Sequence, residues 1–157
     1  MPEGVKGEAV SVQVRRWQPG SPWQVLGDAE STNGAFLFGE ARLEPGVPAP
    51  GLHVHSQETE SLYVVEGAMT VELGGERVEL HPGDFMVLPV GIPHRFGNLT
   101  DRSVRVVAVV APTGIESFFK EEAAYYSTLS GPPDPQRIAE MAAPYGLTLL
   151  GPPLSRD

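Results

Sequence analysis

The spacing of three histidines and one glutamate in this chain is suited to binding a metal ion. His53 and His55 stand at positions i and i+2 of an extended segment, so both rings leave the same face of one strand. Glu60 begins the next apolar run, and a short turn could bring its carboxylate beside the two imidazoles. His94 follows a proline-bounded turn that starts another strand. Three neutral imidazoles and a carboxylate suit Fe(II), Mn(II), Ni(II), Cu(II) or Zn(II) better than Ca²⁺ or Mg²⁺.

Simpler interpretations of these residues stay open. A His-x-His pair near a Pro-Gly turn is more commonly two surface histidines than a pair of ligands. Glu58 competes with Glu60 for the role of carboxylate ligand. The fourth histidine, His81, lies in the sequence Leu-His-Pro-Gly-Asp and is predicted to be an exposed turn residue.

The elements that must position these residues are short strands. From Val5 to about Pro112, apolar and polar residues alternate or form β-branched runs, with turn residues about every ten positions, as in a β-sandwich or barrel. The pair Gly74-Gly75 indicates a hairpin, because two glycines accept the positive φ of a type I′ turn. The predicted strands are Ala9–Trp17, Trp23–Leu26, Ala35–Leu43, Leu52–His55, Ser61–Glu66, Ala68–Leu73, Glu76–Leu80, Asp84–Leu88, His94–Asn98 and Val104–Val110.

After Gly114 the period of the apolar residues changes from two to three or four. This spacing predicts an amphipathic helix over Ile115–Leu129. Asp134 as N-cap and Pro135 as first helical residue predict a second helix, Pro135–Ala143, followed by a short extended piece from Leu147. We expect both helices to pack against the β unit. Phe118 and Phe119 should be at least partly buried there, with Glu121 and Glu122 toward solvent.

The composition excludes several functional classes. The 157 residues are 41% apolar and 20% charged, which predicts one globular domain over residues 1–157. Eleven basic against twenty acidic residues give a net charge of −9, which opposes nucleic acid and anionic lipid as partners. The absence of cysteine excludes disulfides and thiolate ligands. No apolar stretch could span a bilayer and no signal peptide is recognisable, so we expect a cytoplasmic protein without membrane contact.

The residues around the candidate ligands resemble the two sequence motifs of the cupin family. The first reads His53-Val-His55, four residues, Glu60, six residues, Gly67. The second reads Gly83, five residues, Pro89-Val-Gly91, two residues, His94, three residues, Asn98. The first motif departs from the family only at its leading glycine, where this chain has Val47, with Gly46 one place earlier.

This resemblance implies an all-β fold, a cupin jelly-roll β-barrel with a short C-terminal helical extension. The barrel core would span about 35–111, with N-terminal strands at 5–30 and the helical tail at 114–157. Inside it, one divalent transition metal would be held by His53, His55, Glu60 and His94. Glu58 lies closer to His55 than the motif allows, and Asn98 is expected to hold a turn. Apolar residues with period two are candidates for the pocket lining: Phe36, Phe38, Met69, Val71, Met86, Leu88 and Phe96.

The layout resembles small bacterial cupins of the quercetinase-like kind, which implies a metal-dependent dioxygenase acting on a small organic substrate. Glu60 would then be the catalytic residue, a ligand that also accepts a proton from a substrate hydroxyl. Three alternatives remain: non-enzymatic binding of a sugar or anionic ligand, a metal-dependent isomerase, and a closed structural zinc site. Related cupins commonly dimerise, so we expect a homodimer with residues 9–17 at or near the two-fold interface.

Overall fold

The described part of the chain forms two five-stranded sheets that face each other. The structure, a computed structural model, describes residues 12–47 and 49–156. Its strands, numbered in chain order, are β1 (Trp23–Gly27), β2 (Leu37–Leu43), β3 (His53–His55), β4 (Thr59–Glu66), β5 (Met69–Leu73), β6 (Glu76–Leu80), β7 (Phe85–Leu88), β8 (His94–Gly97), β9 (Val104–Ala111) and β10 (Leu147–Leu149).

The chain crosses repeatedly from one sheet to the other. The first has the order β1-β2-β9-β4-β7 and the second the order β10-β3-β8-β5-β6. Paired strands run antiparallel, and consecutive strands such as β3 and β4 lie in different sheets. The hairpin of β5 and β6 turns at Gly74 and Gly75, both with positive φ, as predicted. This topology confirms the predicted all-β jelly-roll class.

The main hydrophobic core lies between the two sheets. Buried and half-buried residues alternate along β9, so Val104, Val106, Ala108 and Val110 point inward. Each fully buried valine or leucine side chain stabilises the fold by roughly 1.5–3 kcal/mol relative to an exposed one. The sheets are therefore held together by their own apolar faces.

Two helices follow the β unit and cover one side of it. They are α1 (Glu116–Ser127) and α2 (Pro135–Ala142), and α2 begins as predicted, with the Asp134 side chain accepting a hydrogen bond from the backbone N–H of Gln136. Buried Phe118 and half-buried Phe119 belong to a second apolar cluster that also contains Leu37, Val110, Ile115, Ala142 and Leu147. Within the described residues, no helix is long and apolar enough to cross a membrane.

One expectation about α1 is wrong. Glu121 is exposed, as predicted, but Glu122 is half-buried and accepts a hydrogen bond of 2.9 Å from the Tyr126 hydroxyl. Burial raises the pKa of Glu122 above its ordinary value, against the effect of this hydrogen bond. The spacing of apolar residues correctly predicted that Glu122 lies in a helix, but it did not show that the Tyr126 hydroxyl would donate a hydrogen bond to it.

The last strand supports the strand that carries two of the histidines. In β10, Leu147 pairs with His55 and Leu149 pairs with His53. The backbone N–H of Ser56 extends this ladder by donating to the Gly146 carbonyl, at 2.9 Å. The three-residue β3 thus lies between β10 and β8.

The predicted strand Ala9–Trp17 is not confirmed. Residues 9–11 lie outside the described residues, and residues 12–17 belong to no strand. Val12 and Val14 are 85% and 67% exposed, whereas Trp17 stacks on the Arg42 guanidinium at 4.0 Å. Alternation alone indicated a strand here, but in the described chain no neighbouring strand pairs with it.

Candidate metal centre

The structure brings together all four residues predicted as ligands. His53 and His55 lie on β3, Glu60 on β4 and His94 on β8. One nitrogen or oxygen atom from each lies within 4.8 Å of the other three. Ligand atoms about 2.1 Å from a shared ion are separated by up to about 4.2 Å, so small side-chain adjustments would suffice to bring these four to one ion.

Strand register explains why the four side chains converge. His53 and His94 are direct cross-strand partners, and their rings lie 4.5 Å apart between centroids. His55, two residues after His53, faces the same way and stacks on His94 at 5.5 Å. Glu60 comes from the opposite sheet and lies 2.8 Å from His94 and 3.4 Å from His55, measured from Oε2 to each Nε2.

Hydrogen bonds at Nδ1 orient each imidazole. The Nδ1 atom of His53 lies 2.7 Å from the Gly51 carbonyl, and that of His94 lies 3.0 Å from the Ile92 carbonyl. Because a carbonyl can only accept, each Nδ1 is the protonated nitrogen and each Nε2 points into the cluster. In His55 the buried Nε2 has no hydrogen-bond partner. A buried nitrogen without a partner is what an absent cation would leave, so the donor set fits a metal ion.

Burial and neighbouring side chains shift the pKa values of three residues of the cluster. Burial lowers the pKa of His53 to about 4, and the neighbouring His94 adds to this effect, so the imidazole is neutral at neutral pH. Burial alone would raise the pKa of Glu60, but the adjacent imidazoles of His55 and His94 hold it well below its usual range. Glu60 is therefore a carboxylate. Burial also acts to lower the pKa of His55, and the interaction with Glu60 outweighs it and raises that pKa.

The cluster is enclosed by apolar side chains. The four residues are between 1% and 8% exposed, and Glu60 is the most exposed of them. In the first sheet Glu60 lies between Leu88 and Val110, and in the second His94 pairs with Leu73. The apolar surroundings exclude bulk water and strengthen every electrostatic interaction inside.

The other polar residues singled out by sequence lie outside the cluster. His81 is exposed in a turn, as predicted, with its backbone N–H donating to Asp84. Asn98 holds a turn, as predicted: its amide nitrogen donates to the carbonyls of Leu43 and Arg102. Glu58 is not a ligand candidate, because its Oε2 lies 3.3 Å from the outer Nδ1 of His55 rather than from Nε2.

Sequence reasoning preferred Glu60 to Glu58 as the carboxylate ligand, but it did not show that Glu58 would lie beside a candidate ligand. In the structure its Oε2 is within hydrogen-bond distance of His55 Nδ1. The signal available in the sequence is its position three residues after His55, within reach of the imidazole across one turn.

Only some of the residues predicted to line a pocket are buried. Met69, Val71 and Leu88 are fully buried in the core, and Met86 and Phe96 pack partly buried against it. The prediction is wrong for Phe36 and Phe38, because the buried apolar side chains of β2, those of Leu37, Ala41 and Leu43, have the opposite parity. Both faces of that strand contain apolar residues, so alternation could not show which face turns inward.

Fold and site together define a class of protein. Two facing antiparallel sheets hold a buried cluster of three histidines and a glutamate, and residues 39–110 match the family model described as the cupin domain. The chain therefore contains a cupin domain.

Known proteins similar to this chain include an enzyme and two solved structures. Over 115 residues, 73% of this chain, it is 33% identical to quercetin 2,3-dioxygenase of Bacillus subtilis (strain 168), and it spans 34% of that enzyme's length. A cupin 2 conserved barrel domain protein of Salinispora arenicola CNS-205 shares the fold, with TM-score 0.57, 24% identity and coverage of 72% of this chain and 99% of that one. A predicted oxalate decarboxylase of Thermotoga maritima has TM-score 0.52 and 29% identity, with 56% of this chain and 76% of that chain covered.

Proposed function

We propose that this chain is a metal-dependent enzyme of the dioxygenase type, acting on a small organic substrate at the His₃Glu cluster. The observation that supports this most is the buried cluster itself, which lies in the part of the chain similar to a quercetin dioxygenase. A stretch of 115 residues in a chain of 157 must include residues 43–115, so it contains all four candidate ligands. The whole dioxygenase is about three times the aligned length, so the proposal concerns the chemistry of this domain.

The roles of the residues follow from the geometry. When bound, a divalent transition metal supplies Lewis acidity and redox capacity. His53, His55 and His94 would hold it through Nε2, and Glu60 would hold it through Oε2. Glu60 is ionised and is the most exposed of the four, so a substrate hydroxyl that enters the cluster meets a carboxylate able to accept its proton.

Oxygen consumption tests this proposal directly. The untagged full chain is analysed for bound metal and then loaded separately with Fe(II), Mn(II), Ni(II) and Cu(II). Oxygen uptake is recorded with flavonols, β-diketones and thiol acids as substrates. Uptake with one substrate class is expected, and Glu60→Gln should reduce it by about 10²–10⁴. His81→Ala changes an exposed histidine and is the matched control, expected to keep wild-type uptake.

A second candidate is a non-enzymatic binding module in which the metal orients an anionic ligand. The donor set supports this reading too, because a divalent ion held by three neutral imidazoles and one carboxylate keeps a net positive charge that attracts an anion. Anaerobic binding of an anionic ligand to the metal-loaded protein, without oxygen uptake for any substrate, would support the module over the enzyme.

A further inference from the structure

Glu58 is a buried acidic residue that the proposed chemistry does not use. It lies in the turn between β3 and β4 and is 1% exposed. Its Oε2 lies 3.3 Å from His55 Nδ1, whereas its Oε1 has no hydrogen-bond partner in the described structure. Oε1 faces Gly114, where an added Cβ would be 3.7 Å away.

Among the three histidines of the cluster, His55 alone has a side chain as its Nδ1 partner. His53 and His94 each face a backbone carbonyl two residues earlier, at Gly51 and Ile92. A backbone carbonyl is a neutral acceptor that any residue at that position supplies. A carboxylate is charged when ionised and is present only if the residue is Asp or Glu. Hydrogen bonds to charged groups are roughly twice as strong as neutral ones.

A role in stability does not explain Glu58. Burying a carboxylate is costly unless its oxygens are paired, and here only one oxygen is. A buried pair that is replaced as a whole by apolar residues of similar volume is often neutral or stabilising, so a half-paired buried carboxylate is weak evidence for a stabilising role. The contact that Glu58 does make is with His55, and its role is therefore sought in what it does to that ring.

We propose that Glu58 is a positioning residue for the metal centre: it accepts the Nδ1–H of His55 and so keeps the Nε2 lone pair of that ring directed at the ion. Such a partner fixes the tautomer and the ring orientation, and it increases the electron density at the ligating nitrogen. Loss of outer partners of this kind typically lowers metal affinity by about 10–100-fold. The proposal rests on the metal centre but not on the reaction that occurs there.

Zn²⁺ affinity is the first measurement, by competition with a chromophoric chelator and the metal-free full chain. Glu58→Leu, which removes the acceptor, should weaken binding by about 10–100-fold. Glu58→Gln keeps an amide oxygen that can accept the same hydrogen bond and should weaken binding by less. The matched control is Glu116→Gln, a buried carboxylate in α1 that accepts from the Ala29 N–H and should leave affinity unchanged.

The second measurement separates positioning from general loss of structure. Long-range ¹H–¹⁵N spectra of the Zn²⁺-loaded protein report which nitrogen of His55 carries the proton. The wild type and Glu58→Gln should show a protonated Nδ1 and a metal-shifted Nε2, whereas Glu58→Leu should lose that single signature. If Glu58→Leu does not fold, Glu58→Gln still carries the affinity comparison.

Equal Zn²⁺ affinities and unchanged His55 signals in both variants would overturn the proposal and leave the proposed function standing. Wild-type protein that binds Zn²⁺ but consumes no oxygen with any metal would overturn the proposed function alone. A wild type that binds no metal would overturn both.

Discussion

At the scale of the residue, each imidazole is set by a contact made close by in sequence. Gly51 and Ile92 stand two residues before His53 and His94, and Glu58 stands three residues after His55. The rings are thus oriented by their own strands and turns before any ion is present. An apoprotein with preset ligands loses less entropy on binding than a disordered one.

Removing one ligand should abolish tight metal binding without unfolding the protein. We expect His55→Ala to purify with little metal and to keep its fold, because the core between the sheets consists of apolar side chains. Metal analysis and circular dichroism check the two parts. His81→Ala should match the wild type in both. A metal-free His55→Ala protein that is unfolded at room temperature would support a structural metal instead.

The half-buried carboxylate of Glu122 in α1 predicts a dependence of stability on pH. Burial raises the pKa of Glu122 above 4.5, so its favourable contribution is full below the unfolded value and is lost as pH rises through the folded one. At pH 7 the buried charge therefore destabilises the fold. Glu122→Gln should raise Tm at pH 7 by about 1–3 °C and have no effect near pH 4.

Thermal melts at the two pH values check this prediction, with Glu121→Gln as control. Glu121 is the exposed neighbour of Glu122, so the same change of charge at that position should leave Tm nearly unchanged at both pH values. An equal rise in both variants would instead assign the effect to the net charge of −9.

The candidate ligand cluster could be predicted from sequence because its spacing is local to strands and turns. His53 and His55 share a face by strand parity, and Gly67 fixes the register of the following turn. The environments of Glu58 and Glu122 could not be predicted, because each depends on which side chain lies beside the carboxylate in the folded chain. The spacing of residues in the sequence shows which face of a strand or helix a side chain lies on, but not which distant side chain contacts it.

At the scale of the element, one glycine has a steric reason as well as a conformational one. Gly67 has φ of +76°, and a Cβ added there would overlap the Ser103 carbonyl oxygen. Gly83 has φ of +94° with open space around it. Gly67→Ala should lower the free energy of unfolding by about 2–4 kcal/mol, and Gly83→Ala by about 1 kcal/mol. Urea unfolding of both variants measures the difference, and equal losses would contradict the steric account.

The C-terminal elements should be required for a stable β unit. A chain that ends at residue 113 lacks Phe118 and β10, so it exposes the apolar cluster around Leu37 and Val110 and leaves β3 without one neighbour. We expect it to aggregate. Light scattering and a thermal melt are the measurements. A soluble truncated chain with the Tm of the full chain would contradict this.

Most strands were predictable because alternation and turn glycines mark them locally. Their order was not, because pairing such as β10 with β3 joins residues far apart in the chain. The same locality explains the failure at residues 12–17, where Val12 and Val14 alternate with polar residues but have no paired strand beside them. Alternation of apolar and polar residues indicates that a segment can form a strand. Whether it does depends on a neighbouring strand, which the tertiary structure provides.

At the scale of the whole molecule, we predict a homodimer. The segment at residues 12–17 has exposed valines and no paired strand in the described chain, so its backbone can pair with a second copy. Light scattering at micromolar concentration should give about twice the monomer mass of 16.8 kDa. A mass near 16.8 kDa would contradict the dimer, and a dimer that persists in Val14→Lys would contradict only the proposed interface.

The pairing of β10 with β3 also bears on how the protein matures during synthesis. Ribosomes release a chain from its N-terminal end, so His53 and His55 emerge long before Leu147 and Leu149, their partners. Until then the strand with two of the ligands has a neighbour on one side only. The nascent protein can thus assemble most of both sheets first, and the candidate metal cluster acquires its final shape only after translation has passed β10.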